Sequence, residues 1–411
     1  MEGPLEGIKI VAFDWVVIGP MGTSYLGDYG ATVVKVESHK RPDGLRYVQP
    51  FKDGIIDPDR SYFFTHQNSS KYSVTIDLKN PEGKELGMKL IEWADVVVEN
   101  MAPGVMQRLG LGYESAKERH PEIVYLSLSL SGKSGPHHML AGFGQLAGAL
   151  SGCIHLSGWP DRGPAPPHGA YTDYITARFI PIVVLAALDY RRRTGKGQYI
   201  DMSIQENVVY LLSMPVMDWV INGHMWNRDG NRHSYASPHG AFRCKGDDRW
   251  VAIAVFTDGQ WKDFCRVLGK IEWTTDPKFS GFWERKRNED ELKRLIEAWT
   301  INHTAEDVEI LMQNAGVPAN VVESTADLFS DPQLKHRGAF RELDHKVMGS
   351  VIRAAPASRF SKTPDVQFAP PCLGEHNEFV LKEILHLSED ESRDLYAKGA
   401  ITTEADLPSR K

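Results

Sequence analysis

The chain has 411 residues, with 47 Lys and Arg against 54 Asp and Glu, a formal net charge of −7 at pH 7. That length fits two or three domains or one large α/β unit with an insertion, and 42 % hydrophobic with 25 % charged residues is the make-up of an ordinary globular protein. The acidic balance speaks against nucleic acid as the main partner. Phe179 to Leu188 is too short an apolar run for a bilayer, and the first ten residues lack an apolar signal core, so a cytoplasmic protein with no membrane partner is expected.

Residues 8–13 (IKIVAF) and 32–36 (TVVKV) are β-branched runs, and the Gly-containing stretch 19–30 between them has helical length. Strand, helix, strand is the unit of a parallel sheet. The pattern recurs. Residues 72–78 alternate as a strand, 83–93 read as a helix with Pro81 near its start, 95–98 as a buried strand, 115–119 as helical and 123–130 as another strand. Strands alternating with helices predict an α/β architecture. Residues 136–167, rich in Gly, Pro and Ser, predict loops around one short apolar helix at 145–150. A long apolar helix over 174–191, a strand over 199–204 and a helix over 205–220 follow. The polar stretch 222–240 predicts a linker or mobile loop. Beyond it a strand pair, 240–244 and 250–255, opens a smaller segment with helices at 260–268, 288–300 and 305–316, and the tail 373–397 carries two amphipathic helical stretches.

Cys153, Cys244, Cys265 and Cys372 are far apart and form no C-x-x-C pair. They predict small buried or half-buried side chains in a reducing compartment and no thiolate metal site. H-E-x-x-H, G-x-S-x-G and G-x-x-x-x-G-K-[ST] are absent, and no metal ligands are assigned. Asp173 stands where a Gly/Pro-rich loop meets an apolar helix. Helix capping is the ordinary role of such an Asp. A carboxylate kept ionised there can also attack a thioester covalently.

Gly142, Gly144 and Ala147 fit the dinucleotide fingerprint by residue, but no strand leads into them; close packing of a short helix is expected. Arg46, Lys71, Arg108 and Lys133 lie near loops. Singly each reads as a solvated charge; together they would suit phosphates beyond the carboxyl ends of parallel strands. Asp201 and Glu206 could form an acid/base pair, against the simpler reading of a strand residue and a carboxylate at a helix start.

The ordered series says more than any one motif. Leu5-Glu6-Gly7-Ile8-Lys9-Ile10-Val11, Gly19-Pro20 and Leu26-Gly27-Asp28-Tyr29-Gly30-Ala31 precede Asn68, Lys71, Asp77-Leu78-Lys79, Glu99-Asn100, Pro103-Gly104 and Arg108-Leu109-Gly110. Arg193-Thr194-Gly195-Lys196-Gly197-Gln198, Asp201, Ser203, Gly316-Val317-Pro318-Ala319 and Gly374-Glu375-His376 follow. Over nearly the whole chain this resembles the class III CoA-transferases, the CaiB/BaiF family, with its formyl-CoA transferase-like and crotonobetainyl-CoA:carnitine CoA-transferase-like members.

The resemblance implies a large Rossmann-like domain from residues 1–221 and 331–411 and a smaller inserted α+β domain at 222–330. It implies an interlocked homodimer, or a heteromer with a related subunit. Its substrates would be an acyl-CoA and a free carboxylic acid, so coenzyme A is a substrate, with no metal. Asp173 becomes the nucleophile, passing through aspartyl anhydride and aspartyl-CoA intermediates. The implied CoA contacts are Val16, Val17, Ile18, Lys71, Asn100, Met101 and Arg108. Many members carry an aromatic residue and an Arg where Met101 and Ala102 stand, and Arg46 or Lys133 would compensate. Phe143, Gln145 and Tyr171 are the substrate-side candidates, and Gly230 to Gly240 the candidate oxyanion loop.

Racemases of the same family need a His as second base, in a segment that here reads Ala141-Gly142-Phe143-Gly144. Phe143 carries no proton, so CoA transfer is expected over racemisation. A noncatalytic subunit of a heteromer is a third reading, against which Asp173 speaks. Phe143, Tyr171, Tyr174, Trp219 and Trp226 point either to an aromatic or bulky acyl group or to ordinary core packing. A dicarboxylate, with succinyl-CoA as donor, or a carnitine-like acid is the alternative.

Overall fold

A computed structural model describes residues 3–408. The chain divides into two compact units, the first made of Met1–His155, Ala165–Trp226 and His336–Lys411, the second of Leu156–Pro164 and Asn227–Lys335.

In the first unit β1 (Lys9–Phe13), β2 (Thr32–Glu37), β3 (Tyr72–Thr75), β4 (Val96–Glu99), β5 (Val124–Ser129) and β6 (Gln198–Ser203) form one six-stranded sheet. All pairings are parallel, and the order is β3-β2-β1-β4-β5-β6. This is the doubly wound Rossmann-like arrangement, and the order reverses between β1 and β4. Strands buried on both faces read as continuous Val-rich runs rather than alternations, as in β4, where all four residues are buried. One face packs Val11, Phe13, Val34 and Val36 against Leu86, Leu90 and Ile91 of the helix Pro81–Trp93 and against Val380 and Leu381 from the C-terminal segment. The other packs Ile10, Val96, Leu126 and Leu128 against Ile180, Val184 and Ala187.

Two helices differ from the sequence reading for one reason. The apolar stretch is two helices, Tyr171–Ala177 and Phe179–Thr194, and the next is Ile204–Leu211 followed by Ser213–Asn222. In each, the last residue of the first helix, Ala177 or Leu211, stands four residues before a proline, Pro181 or Pro215. There the ring collides with the carbonyl four residues back and supplies no N–H. By length and composition the 24 residues Tyr171–Thr194 are apolar enough to cross a membrane. Ile180, Val184, Ala187 and Leu188 are instead buried against the sheet.

The second unit carries a small antiparallel sheet, β7 (His239–Arg243), β8 (Trp250–Ala254) and β9 (Ala319–Val321), in the order β7-β8-β9. Its core gathers Val251, Ile253, Trp261, Phe264, Leu292 and Val308 from β8 and the helices Asp258–Leu268, Glu289–Thr300 and Ala305–Asn314. The three-residue β9 is too short to leave a periodic signal. The chain then supplies an antiparallel hairpin to the first unit, β10 (Phe340–His345) and β11 (Gly349–Ala354). The turn between them needs Gly349 at φ 66.

Candidate active site

The site begins at the turn that leaves β1. Val16 holds φ 63, a left-handed conformation that a β-branched residue avoids. Its N–H donates to both oxygens of Asp43, at 3.1 and 3.2 Å. The preceding Trp15 N–H donates to Asn100 Oδ1 at 2.7 Å, and Asn100 Nδ2 donates back to the Trp15 carbonyl at 2.7 Å. Asn100 directly follows β4, so its amide ties together the two strands flanking the point where the order reverses. A Cβ at Gly19 would stand 2.6 Å from Asp14 Cβ, so the helix Ile18–Asp28 can start this close only on glycine.

Beneath that turn lies a charge cluster with no solvent exposure. Lys35 Nζ is 3.0 Å from Asp14 Oδ1 and 3.1 Å from Asp43 Oδ2. The Thr23 hydroxyl donates to Asp14 at 2.6 Å. Burial alone would pull Lys35 down, but Asp14 and Asp43 outweigh it and raise the ammonium well above its usual value. Burial would likewise push Asp14 up; Lys71 and Lys35 hold it below the ordinary carboxylate range. Lys71 has its own carbonyl and amide acceptors, the Pro20 oxygen at 2.8 Å and Asn68 Oδ1 at 3.0 Å. Burial brings it down to about 7, and its carboxylate neighbour Asp14, 3.9 Å away, does not make good the loss.

Asp173 lies in the first turn of the helix Tyr171–Ala177, whose cap position is Ala170, with no side-chain bond. The capping role considered for Asp173 is therefore not the one it plays. Its carboxyl faces Gly144 so closely that a Cβ there would stand 2.7 Å from Cγ and Oδ2. Gly144 thus serves carboxylate access, beyond the helix packing expected of it. The Thr172 hydroxyl donates to the Gly144 carbonyl and pins the two segments together. Burial pushes the Asp173 carboxyl up to about 6, and the Gly144 N–H that donates to it offsets only part of this. A cleft of about 150 Å³ joins Asp173 to Val16, Val17, Ile18, Asn100 and Phe143. Gly144→Ala should push the carboxylate from this position and lower any reaction at it about 100-fold. Steady-state kinetics against an unchanged unfolding midpoint would check this.

The structure sorts the other expected residues. Val16, Val17, Ile18, Asn100 and Phe143 share the Asp173 cleft. Lys133 Nζ donates to the Met101 carbonyl at 2.8 Å and lies 3.0 Å from Glu99, beyond the ends of β4 and β5. With Tyr113, Tyr199 and Asp201 it lines a second cleft of about 560 Å³. Asp201 accepts the Lys133 N–H at 2.9 Å, and Glu206 stands in a first helical turn capped by Ser203, which is the simpler reading of that pair. Arg108 is exposed at the end of the turn Val105–Arg108.

Arg46 and Lys71 are not surface charges, because both are fully buried. Arg46 pairs with Glu37 at 2.8 Å and Asp59 at 2.8 Å, so a phosphate would reach it only by breaking a buried ion pair. Gln145 donates weakly to the Gly169 carbonyl at 3.4 Å, and both it and Tyr171 line a crevice behind the Pro166-Pro167 loop. Phe143, Tyr171, Trp219 and Trp226 are exposed, which corrects the core-packing reading for them; Tyr174 does pack, against Val17, Leu45 and Phe64. Gly230 and Gly240 belong to the second unit, Gly230 at φ 60 under the Trp159 ring and Gly240 within β7. Cys244, Cys265 and Cys372 are buried and Cys153 half-buried. Among the described residues no group of three or more His, Cys, Asp or Glu is placed to hold a metal ion.

The Trp15–Asn100 lock and the Asp14–Lys35–Asp43 cluster escaped the sequence reading. One signal was present: Lys35 interrupts a Val run that a parallel sheet buries on both faces, and a lysine there needs carboxylate partners.

A carboxyl at the carboxyl ends of a doubly wound sheet marks a class of α/β protein that binds its ligand at the reversal of strand order. Comparison with known proteins names the class: residues 5–377 match CoA-transferase family III, and the chain belongs to that family. It is 31 % identical over 399 residues to succinyl-CoA–D-citramalate CoA-transferase of Chloroflexus aurantiacus, covering 97 % of this chain and 98 % of that one. It is 32 % identical to succinyl-CoA:glutarate CoA-transferase of Mus musculus, covering 97 % and 90 %. The solved structure of a CaiB/BaiF family protein from Brucella suis superposes with TM-score 0.86 at 32 % identity, over 93 % of this chain and all of that one.

Proposed function

We propose that this chain transfers CoA from an acyl-CoA to a free dicarboxylic acid through covalent intermediates on Asp173. The observation that carries the reading is the Asp173 carboxyl, buried beside Gly144 with no cation paired to it among the described residues, in a cleft at the sheet's reversal point. A poorly solvated carboxylate is a reactive nucleophile toward a thioester. Attack on the donor thioester carbonyl forms a mixed anhydride and expels CoA thiolate. The thiolate then attacks the aspartyl carbonyl, giving aspartyl-CoA and releasing the donor acid. The acceptor carboxylate attacks that thioester, forming a second anhydride and thiolate. Attack of the thiolate on the acceptor carbonyl makes the new acyl-CoA and restores the Asp173 carboxylate. Each activated acyl group is stored, so no step needs free energy from outside.

The dicarboxylate class is supported by relatives named for succinyl-CoA with glutarate, citramalate and malate. We assign the CoA side to the Val16–Ile18 turn, Met101, Lys133 and Arg108, because these residues lie at or beyond the carboxyl ends of β1, β4 and β5. The acting form holds a second chain: Met214, Met217, Trp219, Val220 and Ile221 are exposed, and the helix Ser213–Asn222 buries none of its residues, an apolar surface of the kind that docks a partner. Relatives named as alpha and beta subunits support a heteromer as the alternative.

The test mixes purified chain with succinyl-CoA and a panel of free acids and resolves the CoA esters by chromatography. Transfer to a dicarboxylate is expected. α-Proton exchange without transfer would make the chain a racemase, and turnover only after addition of a second chain would make it a subunit. Attack needs the ionised carboxylate, so kcat/KM should fall about tenfold per unit below pH 6. The sign for stability is opposite. The folded-state pKa is raised from 3.8 to about 6, so the native state holds the proton more tightly and stability is lost as pH rises through that window. Asp173→Asn should therefore stabilise the fold by roughly 2–3 kcal/mol at pH 8 and by little at pH 4, read by urea unfolding.

A further inference from the structure

Beside the Asp173 loop lies a separate cleft of about 500 Å³, lined by Gln49, Tyr62, His66, His168, Ile352 and Arg353, with no acidic side chain on its wall. Gly169 and Tyr174 also line it, and they bracket Asp173 in the chain. Arg353 is only 9 % exposed, yet among the described residues it makes no ion pair. Its Nη1 donates to the Thr65 carbonyl at 3.1 Å, while its Nε is buried without a hydrogen-bond partner. The residue opposite it in the hairpin, Arg341, has a carboxylate in Asp365; among the described residues Arg353 has none within ion-pair distance, Asp28 acting on it only from farther away. Buried guanidinium groups are normally paired, because an unpaired one forfeits its hydration for nothing. Burial accordingly holds Arg353 below its usual value, and Arg353 in turn helps hold His66 down. The inward position of β11 thus offers a planar donor group to an acceptor that the protein does not itself supply.

We propose that this cleft is a carboxylate subsite, in which Arg353 receives the far carboxylate of the dicarboxylic acid whose near carboxyl reacts at Asp173. The proposal rests on the CoA-transfer reading and adds the residue that selects the substrate class. A guanidinium suits a carboxylate through two parallel N–H donors. Tyr62 and His168 line the same wall and supply further donors to an anion.

The test compares glutarate with its monoamide as CoA acceptors, the two differing only in the charge of the far end. The unsubstituted enzyme should favour glutarate in kcat/KM by about tenfold to a hundredfold, the range of a charged hydrogen bond. Arg353→Gln should lose that preference through KM for glutarate, with the monoamide changed less than about threefold. Arg353→Lys, which keeps the charge but not the fork, should retain part of it and guards against a folding failure of the first variant. Equal kcat/KM for the two acids in the unsubstituted enzyme, or equal losses for both in the variants, overturns the proposal. Absence of transfer to any acid from any donor overturns the CoA-transfer reading instead; transfer to monoacids alone overturns only the subsite.

Discussion

Asp173→Ala should lower the rate of CoA transfer by about 10⁴-fold or more while the protein stays folded, because removing the nucleophile proposed above leaves only binding and orientation to act. The side chain can be removed without harm to packing. Its neighbour across the cleft is the bare Gly144, and the helix Tyr171–Ala177 takes no cap from Asp173. Asp173→Asn should be equally inactive, since an amide of the same shape does not attack a thioester. A structural role would predict the reverse: Ala destabilised, Asn near normal. Relief of the buried charge predicts that both variants unfold at higher urea than the parent at pH 8, so loss of rate and gain of stability appear together.

Lys35→Met should cost about 3–5 kcal/mol at pH 7.5, the largest stability loss expected from a single change at this site. Methionine fills the volume but leaves Asp14 and Asp43 buried without their shared cation. In the variant both carboxyls would be raised above their unfolded values, and stability of that kind is present at low pH and lost as pH rises. The deficit against the parent should therefore narrow between pH 7.5 and pH 5. Urea unfolding at both values would show it; a deficit independent of pH would mean that Lys35 matters for packing alone. Asp43 also accepts the Val16 N–H, so the variant should in addition release the strained turn that lines the Asp173 cleft.

The legible parts of the fold were those with strong local periodicity. The Val-rich strands and the helix Pro81–Trp93, with Pro at its start and Asn80 as cap, announce themselves within a dozen residues. The breaks before Pro181 and Pro215 were legible too, by counting four residues back, but a window of average apolarity passes over them. The hairpin of β10 and β11 was missed because its inward positions include Arg353, which breaks the apolar alternation. At the site, the place of Asp173 after a Pro/Gly loop singled it out but favoured a helix cap, and only family resemblance turned it into a candidate nucleophile. The burial of Arg46 and Lys71 was not, since a cation looks the same in sequence whether water or a carboxylate elsewhere in the chain solvates it. Arg46 answers to Glu37 nine positions back, but Lys71 reaches the Pro20 carbonyl 51 positions away. Such pairings exist only once the sheet has brought the strand ends together.

Covalent CoA on Asp173 is the direct test of the mechanism. The chain should be incubated with succinyl-CoA in the absence of an acceptor acid, quenched in acid, digested and examined by mass spectrometry. A CoA adduct on the peptide containing Asp173, released by hydroxylamine and absent from Asp173→Ala, is the predicted result. CoA transfer proceeding at full rate with no such adduct, or with the adduct on another residue, would contradict it.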